Sequence, residues 1–273
     1  MAAYKLLALD MDGTVLTSDK HVSPRTREAL KALSAKGVAI SLATGRNVFE
    51  LSEYREELSF VSYGILASGA IAYHFTKDEV LLSTPIPTDA VLAAVTITLE
   101  EGGIPFLSCV DGTRARSTDI ARLDECGLHG YRMMYEQICN RVDDPVSWIA
   151  VNPGKVVKVD IYHTQDEGCI RIRDRIVATG APIEVWSSEP GCMECTAKGV
   201  NKGVGLQALS ERLGISLNEV VAVGDGGNDL AMLRSVGMPV AMGNASQEVL
   251  GVARLVVADN DHNGIVELID RLF

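Results

Sequence analysis

Residues 5–14 have the sequence KLLALDMDGT, an apolar segment that ends in two acidic residues and a glycine. The apolar segment predicts a buried β-strand. Because a buried carboxylate without a partner is costly, Asp10 and Asp12 should lie at the carboxyl end of this strand, facing a cation or water. That end is where ligands bind in open α/β sheets. Two carboxylates on one face suit a hard cation such as Mg²⁺, although Asp12-Gly13 is also a common turn.

Three further polar segments lie at strand ends or at a helix start. Residues 43–46 (ATGR) end the second predicted strand, residues 202–203 (KG) begin a predicted helix, and residues 224–229 (GDGGND) follow a buried strand. Thr44 offers a hydroxyl group and Gly45 an open backbone N–H group, both of which suit a phosphoryl oxygen. Lys202 would add a positive charge where the helix dipole also favours anions. The alternative for Lys202 is an ordinary solvated helix residue.

Taken together and in this order, the segments DMDGT, ATGR, KG and GDGGND resemble the four motifs of the haloacid dehalogenase superfamily of phosphohydrolases. The long middle part of the chain and the sequence MGNA at residues 242–245 are most similar to the Cof-like subfamily, in which a large cap is inserted after the third core strand. Residues 68–70 are Ser-Gly-Ala, where that subfamily often has Asn-Gly-Ala. This departure puts in doubt a phosphate or substrate contact by the Ser68 side chain, but not the chemistry.

The resemblance implies a role for each acidic motif residue. Asp10 would be the nucleophile that forms an aspartyl-phosphate. Asp12 would be the general acid and base, and its backbone carbonyl would bind Mg²⁺. Asp225 would be the distal metal ligand, with a helix-capping acid as the alternative. Asp229 and Asn228 would be a nearby ligand and its orienting partner, or the reverse.

The phosphate-binding residues follow from the same motifs. Arg46 would either reach the phosphate or close a loop. Asn244 would either orient the substrate or Lys202, or occupy a turn beside Gly243. The expected catalytic residues are Asp10, Asp12 and Lys202. The expected phosphate-binding residues are Thr44, Gly45, Arg46, Lys202, Asn228 and Asn244. The expected metal ligands are Asp10, Asp12, Asp225, Asn228 and Asp229.

Strands and helices alternate at both ends of the chain, which predicts an α/β fold with a doubly wound parallel-sheet, Rossmann-like core. We expect residues 1–82 and 190–273 to form this catalytic core domain. Residues 83–189 contain mixed strands and helices, and we expect them to form an inserted α+β cap domain.

Three local predictions concern the helix after the second strand and the two connections between the core and the cap. A helix is predicted over residues 48–58. A crossing into the cap is predicted over residues 80–87, which contain two prolines, and a second crossing is predicted at Pro190. Prolines at these points indicate stiff connections rather than flexible linkers.

The net charge limits the classes of binding partner that we expect. The 273 residues include 25 basic and 36 acidic side chains, which gives a formal charge of -11. This charge would repel a nucleic acid backbone, so nucleic acid is not an expected partner. A small phosphate ester is compatible with this charge, because Mg²⁺ and a few local cations can dominate one cleft.

The cysteines and the apolar segments indicate the compartment. Cys192 and Cys195 have the spacing of a zinc or redox pair, but no second pair or histidine cluster follows, so an alternating strand is the preferred interpretation. No apolar segment approaches the ~18 residues of a membrane span, so no membrane partner is expected. These features are typical of a reduced, cytoplasmic protein.

The resemblance implies a Mg²⁺-dependent phosphoric monoester hydrolase that acts on small phosphorylated metabolites, with sugar phosphates as the default for the family. The first alternative is a phosphomutase or phosphotransferase that uses the same aspartyl-phosphate with an acceptor other than water. A catalytically silent binding protein is disfavoured by the complete set of motif residues. A dehalogenase is disfavoured because that chemistry lacks the metal that Asp12 and Asp225 imply. The sequence gives no signal for the oligomeric state.

Overall fold

The computed structural model describes residues 4–189 and 191–273. Contacts between residues divide the chain into two units. The first unit contains the residues up to Gly45, Glu53–Leu82 and Asn201–Phe273. The second unit contains Arg46–Ser52 and Ser83–Val200. The predicted division into a core and a cap domain stays a prediction, and Pro190, where its second boundary was placed, lies outside the described residues.

The described residues form strands and α-helices in both units. The strands are β1 Leu6–Leu9, β2 Ala39–Ala43, β3 Tyr63–Leu66, β4 Ile71–His74, β5 Glu79–Ser83, β6 Ile104–Cys109, β7 Gly112–Ala115, β8 Asn140–Arg141, β9 Val156–Tyr162, β10 Ile183–Glu189, β11 Cys192–Ala197, β12 Val220–Gly224, β13 Met238–Ala241 and β14 Leu255–Val256. The α-helices are α1 Pro24–Ala35, α2 Thr88–Glu100, α3 Ser117–Arg122, α4 His129–Ile138, α5 Pro145–Val151, α6 Asp166–Ala178, α7 Lys202–Leu213, α8 Leu230–Ser235, α9 Gln247–Val252 and α10 Gly264–Leu272.

The sheet of the first unit has the order β14-β13-β12-β1-β2-β3-β4-β5. Neighbouring strands from β14 to β3 pair in parallel, and β4 then pairs antiparallel with β3. Every residue of β1 and β12 is buried, as expected for central parallel strands covered on both faces. Leu6 and Ala8 pack with side chains of α7 and α9, whereas α1 packs against α10. The parallel core agrees with the predicted doubly wound sheet.

Two local predictions for this part of the chain need correction. The crossing predicted over residues 80–87 begins within the strand β5, Glu79–Ser83, at the edge of the sheet. The helix predicted over residues 48–58 is a 3₁₀ helix and covers only Val48–Tyr54. Val48, Leu51 and Tyr54 are buried. Their spacing of three residues matches the three residues per turn of a 3₁₀ helix.

The second unit contains a separate sheet with the order β10-β11-β9-β6-β7-β8. Phe106, Tyr135 and Tyr162 form its aromatic cluster, in which the Phe106 and Tyr135 ring centroids are 4.5 Å apart. The strand β9 also carries a buried ion pair, with 2.6 Å between Lys158 Nζ and Asp160 Oδ1. Burial raises the pKa of Asp160 to about 7 despite the opposing charge of Lys158. Cys195 lies on β11, as the alternating-strand interpretation expected.

Within residues 4–189 and 191–273, no helix combines the length and the apolar character that crossing a membrane requires.

Candidate active site

The candidate site lies where three neighbouring parallel strands end. The strands β12, β1 and β2 are adjacent in the sheet and run in the same direction. Asp10 follows β1, Thr44 follows β2, and Asp225 follows β12. The carboxyl ends of parallel strands meet at one edge of a sheet, so residues far apart in sequence are brought together there.

Lys202, the first residue of α7, is the centre of the charge network. Its Nζ donates to Asp10 Oδ1 at 2.6 Å and to Asp229 Oδ1 at 2.7 Å. The side chain is 1% exposed, so the alternative of a solvated helix residue was wrong. Burial would lower the pKa of Lys202, but the negative charges of Asp10 and Asp229 outweigh this effect and raise it. Lys202 is therefore a fixed positive charge at this strand edge.

Three carboxyl groups surround one small space. One oxygen from each of Asp10, Asp225 and Asp229 lies within 4.8 Å of the others. Burial, followed by the charge of Asp229, raises the pKa of Asp10 well above its usual range. Burial also raises the pKa of Asp225. The cluster thus holds more negative charge than Lys202 alone compensates, which is the situation that a bound cation relieves.

Asp229 uses both carboxylate oxygens to hold its neighbours. Oδ1 accepts from Lys202, and Oδ2 accepts from the backbone N–H groups of Asp225 at 3.0 Å and Gly226 at 3.1 Å. The neighbouring Asn228 is exposed. Two roles were left open for Asp229 and Asn228, that of a metal ligand and that of its orienting partner. The hydrogen bonds of Asp229 are those expected of the orienting partner.

Thr14 is a site residue for which no role was predicted. Its Oγ1 donates to Asp225 Oδ1 at 2.9 Å, so it orients this carboxylate across 211 positions in sequence. The available signal was a hydroxyl residue directly after Gly13, within the first motif. Gly13 has φ +78° and lies so close to Asp225 that an added Cβ would collide with the carboxylate. A glycine is therefore required there for two reasons, the backbone angle and the close approach.

Asp12 precedes Gly13 in the turn, and Asn244 bonds to Gly13. Asp12 Oδ1 accepts from Lys20 Nζ at 2.7 Å in a solvent-exposed ion pair. Asn244 Nδ2 donates to the carbonyl oxygen of Gly13 at 2.9 Å, and Asn244 Oδ1 accepts from the N–H group of Asn260 at 3.3 Å. Asn244 thus supports the turn, whereas the bonds of Lys202 go to Asp10 and Asp229.

The Thr44-Gly45 turn is supported by the segment that departs from the subfamily pattern. The N–H group of Ser68 donates to the carbonyl oxygen of Thr44 at 3.1 Å, and the N–H group of Thr44 donates to the carbonyl oxygen of Ile65 at 2.9 Å. Ser68 is buried and has φ 58°. Its backbone therefore has a structural role that does not depend on the side chain. Arg46, the next residue after the turn, is half-buried and belongs to the second unit.

The comparison with protein families covers nearly the whole chain. Residues 7–269 match the family model described as haloacid dehalogenase-like hydrolase. A curated relative, the 5-amino-6-(5-phospho-D-ribitylamino)uracil phosphatase YitU of Bacillus subtilis, is 28% identical over 273 residues, which cover 98% of this chain and 97% of the relative.

Solved structures share both the fold and the chain length. The crystal structure of a haloacid dehalogenase-like hydrolase from Bacteroides thetaiotaomicron has a TM-score of 0.86 at 28% identity and covers 99% of this chain and 100% of that one. A structure described as a subclass IIB sugar phosphatase has a TM-score of 0.80 at 25% identity and covers 98% of each chain. These comparisons confirm the predicted fold class, the predicted Cof-like resemblance and the predicted enzyme class, a phosphoric monoester hydrolase. The chain belongs to the haloacid dehalogenase-like hydrolase family.

Proposed function

We propose that this enzyme is a Mg²⁺-dependent phosphatase that hydrolyses small phosphorylated metabolites through an aspartyl-phosphate on Asp10. The observation that carries the proposal is the arrangement at the strand ends. Lys202 contacts Asp10 at 2.6 Å, and the carboxyl oxygens of Asp225 and Asp229 lie within 4.8 Å of that of Asp10. A nucleophilic carboxylate, a fixed cation and a further carboxylate for a metal are the parts that phosphoryl transfer requires.

The residues present fit Mg²⁺, which prefers carboxylate and carbonyl oxygens and keeps several waters. Asp10 and Asp225 would supply the carboxylate oxygens, and the family resemblance adds the backbone carbonyl of Asp12. Asp229 would orient Asp225 and Lys202, because hydrogen bonds already occupy both of its oxygens. When bound, Mg²⁺ would neutralise charge on the phosphoryl oxygens.

The proposed reaction has two steps. An oxygen of Asp10 attacks phosphorus, the bond from phosphorus to the leaving oxygen breaks, and Asp12 gives that oxygen a proton. Asp12 then takes a proton from water, the water oxygen attacks phosphorus, and inorganic phosphate leaves as Asp10 is restored. Thr44, Gly45 and Lys202 would hold the phosphoryl oxygens. The exposed pair between Asp12 and Lys20 is worth about 0–1 kcal/mol, so it can open readily for proton transfer.

The proposed substrates are phosphate esters of sugars or related polyols. One relative is named for a phosphoribityl compound, and one related structure is named a sugar phosphatase. In both names the phosphate is attached to a hydroxylated carbon chain. We propose that the second unit acts as the cap that selects the leaving group. The cytoplasmic location stays a prediction.

The direct test is release of inorganic phosphate from a panel of sugar phosphates, polyol phosphates and p-nitrophenyl phosphate. We expect release with Mg²⁺ and its loss after addition of EDTA. Release that is unchanged in EDTA would overturn the metal requirement. Transfer of the phosphoryl group to an added sugar in preference to water would favour the phosphotransferase alternative, and no turnover on any ester would contradict the proposal.

Asp225→Ala should weaken Mg²⁺ binding and phosphate release together, because it removes a hard anionic ligand that Thr14 holds beside Asp10. Binding is measured by calorimetric titration with Mg²⁺ alone, and activity by phosphate release. The control is Asp19→Ala, which makes the same charge change at an exposed residue. Lost activity with unchanged Mg²⁺ affinity would make Asp225 an orienting residue instead of a ligand.

Gly13→Ala should lower phosphate release by about 100-fold, because an added Cβ would displace the Asp225 carboxylate and small misplacements at a reacting centre have effects of that size. The matched control is Gly37→Ala. Gly37 has φ +88°, close to the +78° of Gly13, but nothing lies within 4 Å of an added Cβ. Both variants should lose stability through backbone strain, and only Gly13→Ala should lose turnover per folded molecule. Equal turnover in the two variants would show that the close approach to Asp225 is unimportant.

A further inference from the structure

Residues Arg46–Ser52, here called the strap, belong to the second unit although the chain on both sides belongs to the first. A single peptide bond joins the strap to Gly45, the second residue of the proposed phosphate-binding turn. The strap therefore connects that turn covalently to the second unit, 37 positions before the longer second-unit segment Ser83–Val200 begins.

Two buried polar side chains fix the strap within the second unit. Asn47 is 0% exposed, and its Nδ2 donates to the carbonyl oxygen of Cys109, at the end of β6, at 2.7 Å. Glu50 is 4% exposed, and its Oε1 accepts from Thr113 Oγ1 at 2.9 Å and from Tyr135 Oη at 3.2 Å. Thr113 lies on β7 and Tyr135 on α4, so the strap is bonded to three separate elements.

The two strap residues also bond to each other. Glu50 Oε2 accepts from the N–H group of Asn47 at 2.9 Å, and the N–H group of Glu50 donates to the carbonyl oxygen of Asn47 at 3.1 Å. The N–H group of Asn47 lies two residues after Gly45. The Glu50 carboxylate is bonded at one oxygen to β7 and α4 and at the other oxygen to this N–H group. These bonds restrict the conformation of the backbone that directly follows the turn. Removing one donor leaves part of a buried charge uncompensated, so the network is expected to respond as a whole.

We infer that Asn47 and Glu50 are positioning residues that hold the Thr44-Gly45 turn in its phosphate-binding form through their bonds to the second unit. The inference rests on the proposed function, because it assigns the turn to phosphate. It gives the second unit a part in phosphate affinity that is separate from selection of the leaving group. A change in the second unit at Thr113 or Tyr135 should therefore alter the turn, which lies 68 positions or more earlier in the chain.

The test compares two buried threonines of the second unit, both 0% exposed. Thr113→Val removes a donor to Glu50, whereas Thr98→Val removes a hydroxyl that bonds only within α2, to Ala94 at 2.8 Å. The measured quantities are the inhibition constant of inorganic phosphate and the KM and kcat for p-nitrophenyl phosphate. Thr113→Val should raise the inhibition constant and KM together by about fivefold or more, with a smaller change in kcat. Thr98→Val should leave all three near the wild-type values.

A variant that restores the hydroxyl group and a measurement of amide exchange provide two further tests. Thr113→Ser keeps the hydroxyl and should restore the phosphate inhibition constant. Backbone amide exchange over residues 44–52 should be about tenfold faster in Thr113→Val than in Thr98→Val. Should Thr113→Val not fold, Tyr135→Phe removes the longer bond to the same oxygen and should give a smaller effect of the same kind.

The outcomes separate this inference from the proposed function. A wild-type enzyme without phosphatase activity would overturn the proposed function. Amide exchange does not require activity, so the exchange data would still test whether the strap positions the turn. Equal phosphate inhibition constants or equal exchange in Thr113→Val and Thr98→Val would show that the bonds to Glu50 are only structural and would overturn the inference. Failure of Thr113→Ser to restore the constant would do the same.

Discussion

Asp10→Asn is expected to abolish phosphate release, with a loss of at least about 1000-fold. The amide cannot attack phosphorus, yet it has almost the shape of the carboxylate and keeps an oxygen that can accept from Lys202. Because Lys202 also keeps its bond to Asp229, at 2.7 Å, the buried positive charge stays paired in the variant. The folded state should therefore persist, and the loss should be one of chemistry.

The measurement is phosphate release from the best substrate of the panel, with circular dichroism and thermal unfolding to establish that the variant is folded. Asp19→Asn, at an exposed residue on the same part of the chain, serves as the charge-matched control and should retain full activity. Mass spectrometry must exclude deamidation, which would regenerate Asp10. If the folded, undeamidated variant retained more than a small percentage of the wild-type rate, Asp10 would have to be removed from the nucleophile role.

The positions of the main site residues could be predicted because they depend on topology. Asp10, Thr44 and Asp225 each follow a buried apolar segment, and parallel strands bring such ends to one sheet edge. Lys202 was found through its place at the start of a helix and in the motif order. The roles of these residues stay predictions.

Side-chain partners across long separations could not be predicted. The bond from Thr14 to Asp225 spans 211 positions, and the bond from Thr113 to Glu50 spans 63. Such pairs are decided by how strands and helices pack, and no local pattern in the sequence carries that information. The assignment of the strap to the second unit has the same origin.

The 3₁₀ helix is a different case, because a local signal was present. Val48, Leu51 and Tyr54 recur every three residues, a spacing that an α-helix also tolerates over two turns. What distinguishes the two forms here is the pair of buried polar residues, Asn47 and Glu50, whose partners lie on β6, β7 and α4. Tertiary bonds of this kind override a weak local preference.

Lys202→Met is the second change for which we expect a large effect, and it acts on stability as well as turnover. Lys202 Nζ is the shared donor between Asp10 and Asp229, at 2.6 and 2.7 Å, and the side chain is 1% exposed. Methionine fills a similar volume but leaves two buried carboxyl groups without this positive partner. Breaking a buried pair from one side destabilises proteins by about 3–5 kcal/mol. We expect a loss of that size in the free energy of unfolding, together with loss of phosphate release.

Two further variants show whether the charge network is the cause. Lys31→Met makes the same charge change at an exposed residue of α1 and should alter the free energy of unfolding by about 0.5 kcal/mol or less. Adding Asp229→Asn to Lys202→Met removes one unpaired charge, while the amide oxygen can still accept from the N–H groups of Asp225 and Gly226. The double variant should therefore recover part of the stability measured by denaturant unfolding, but none of the activity. A double variant no more stable than Lys202→Met alone would show that lost packing, and not unpaired charge, explains the effect of the lysine.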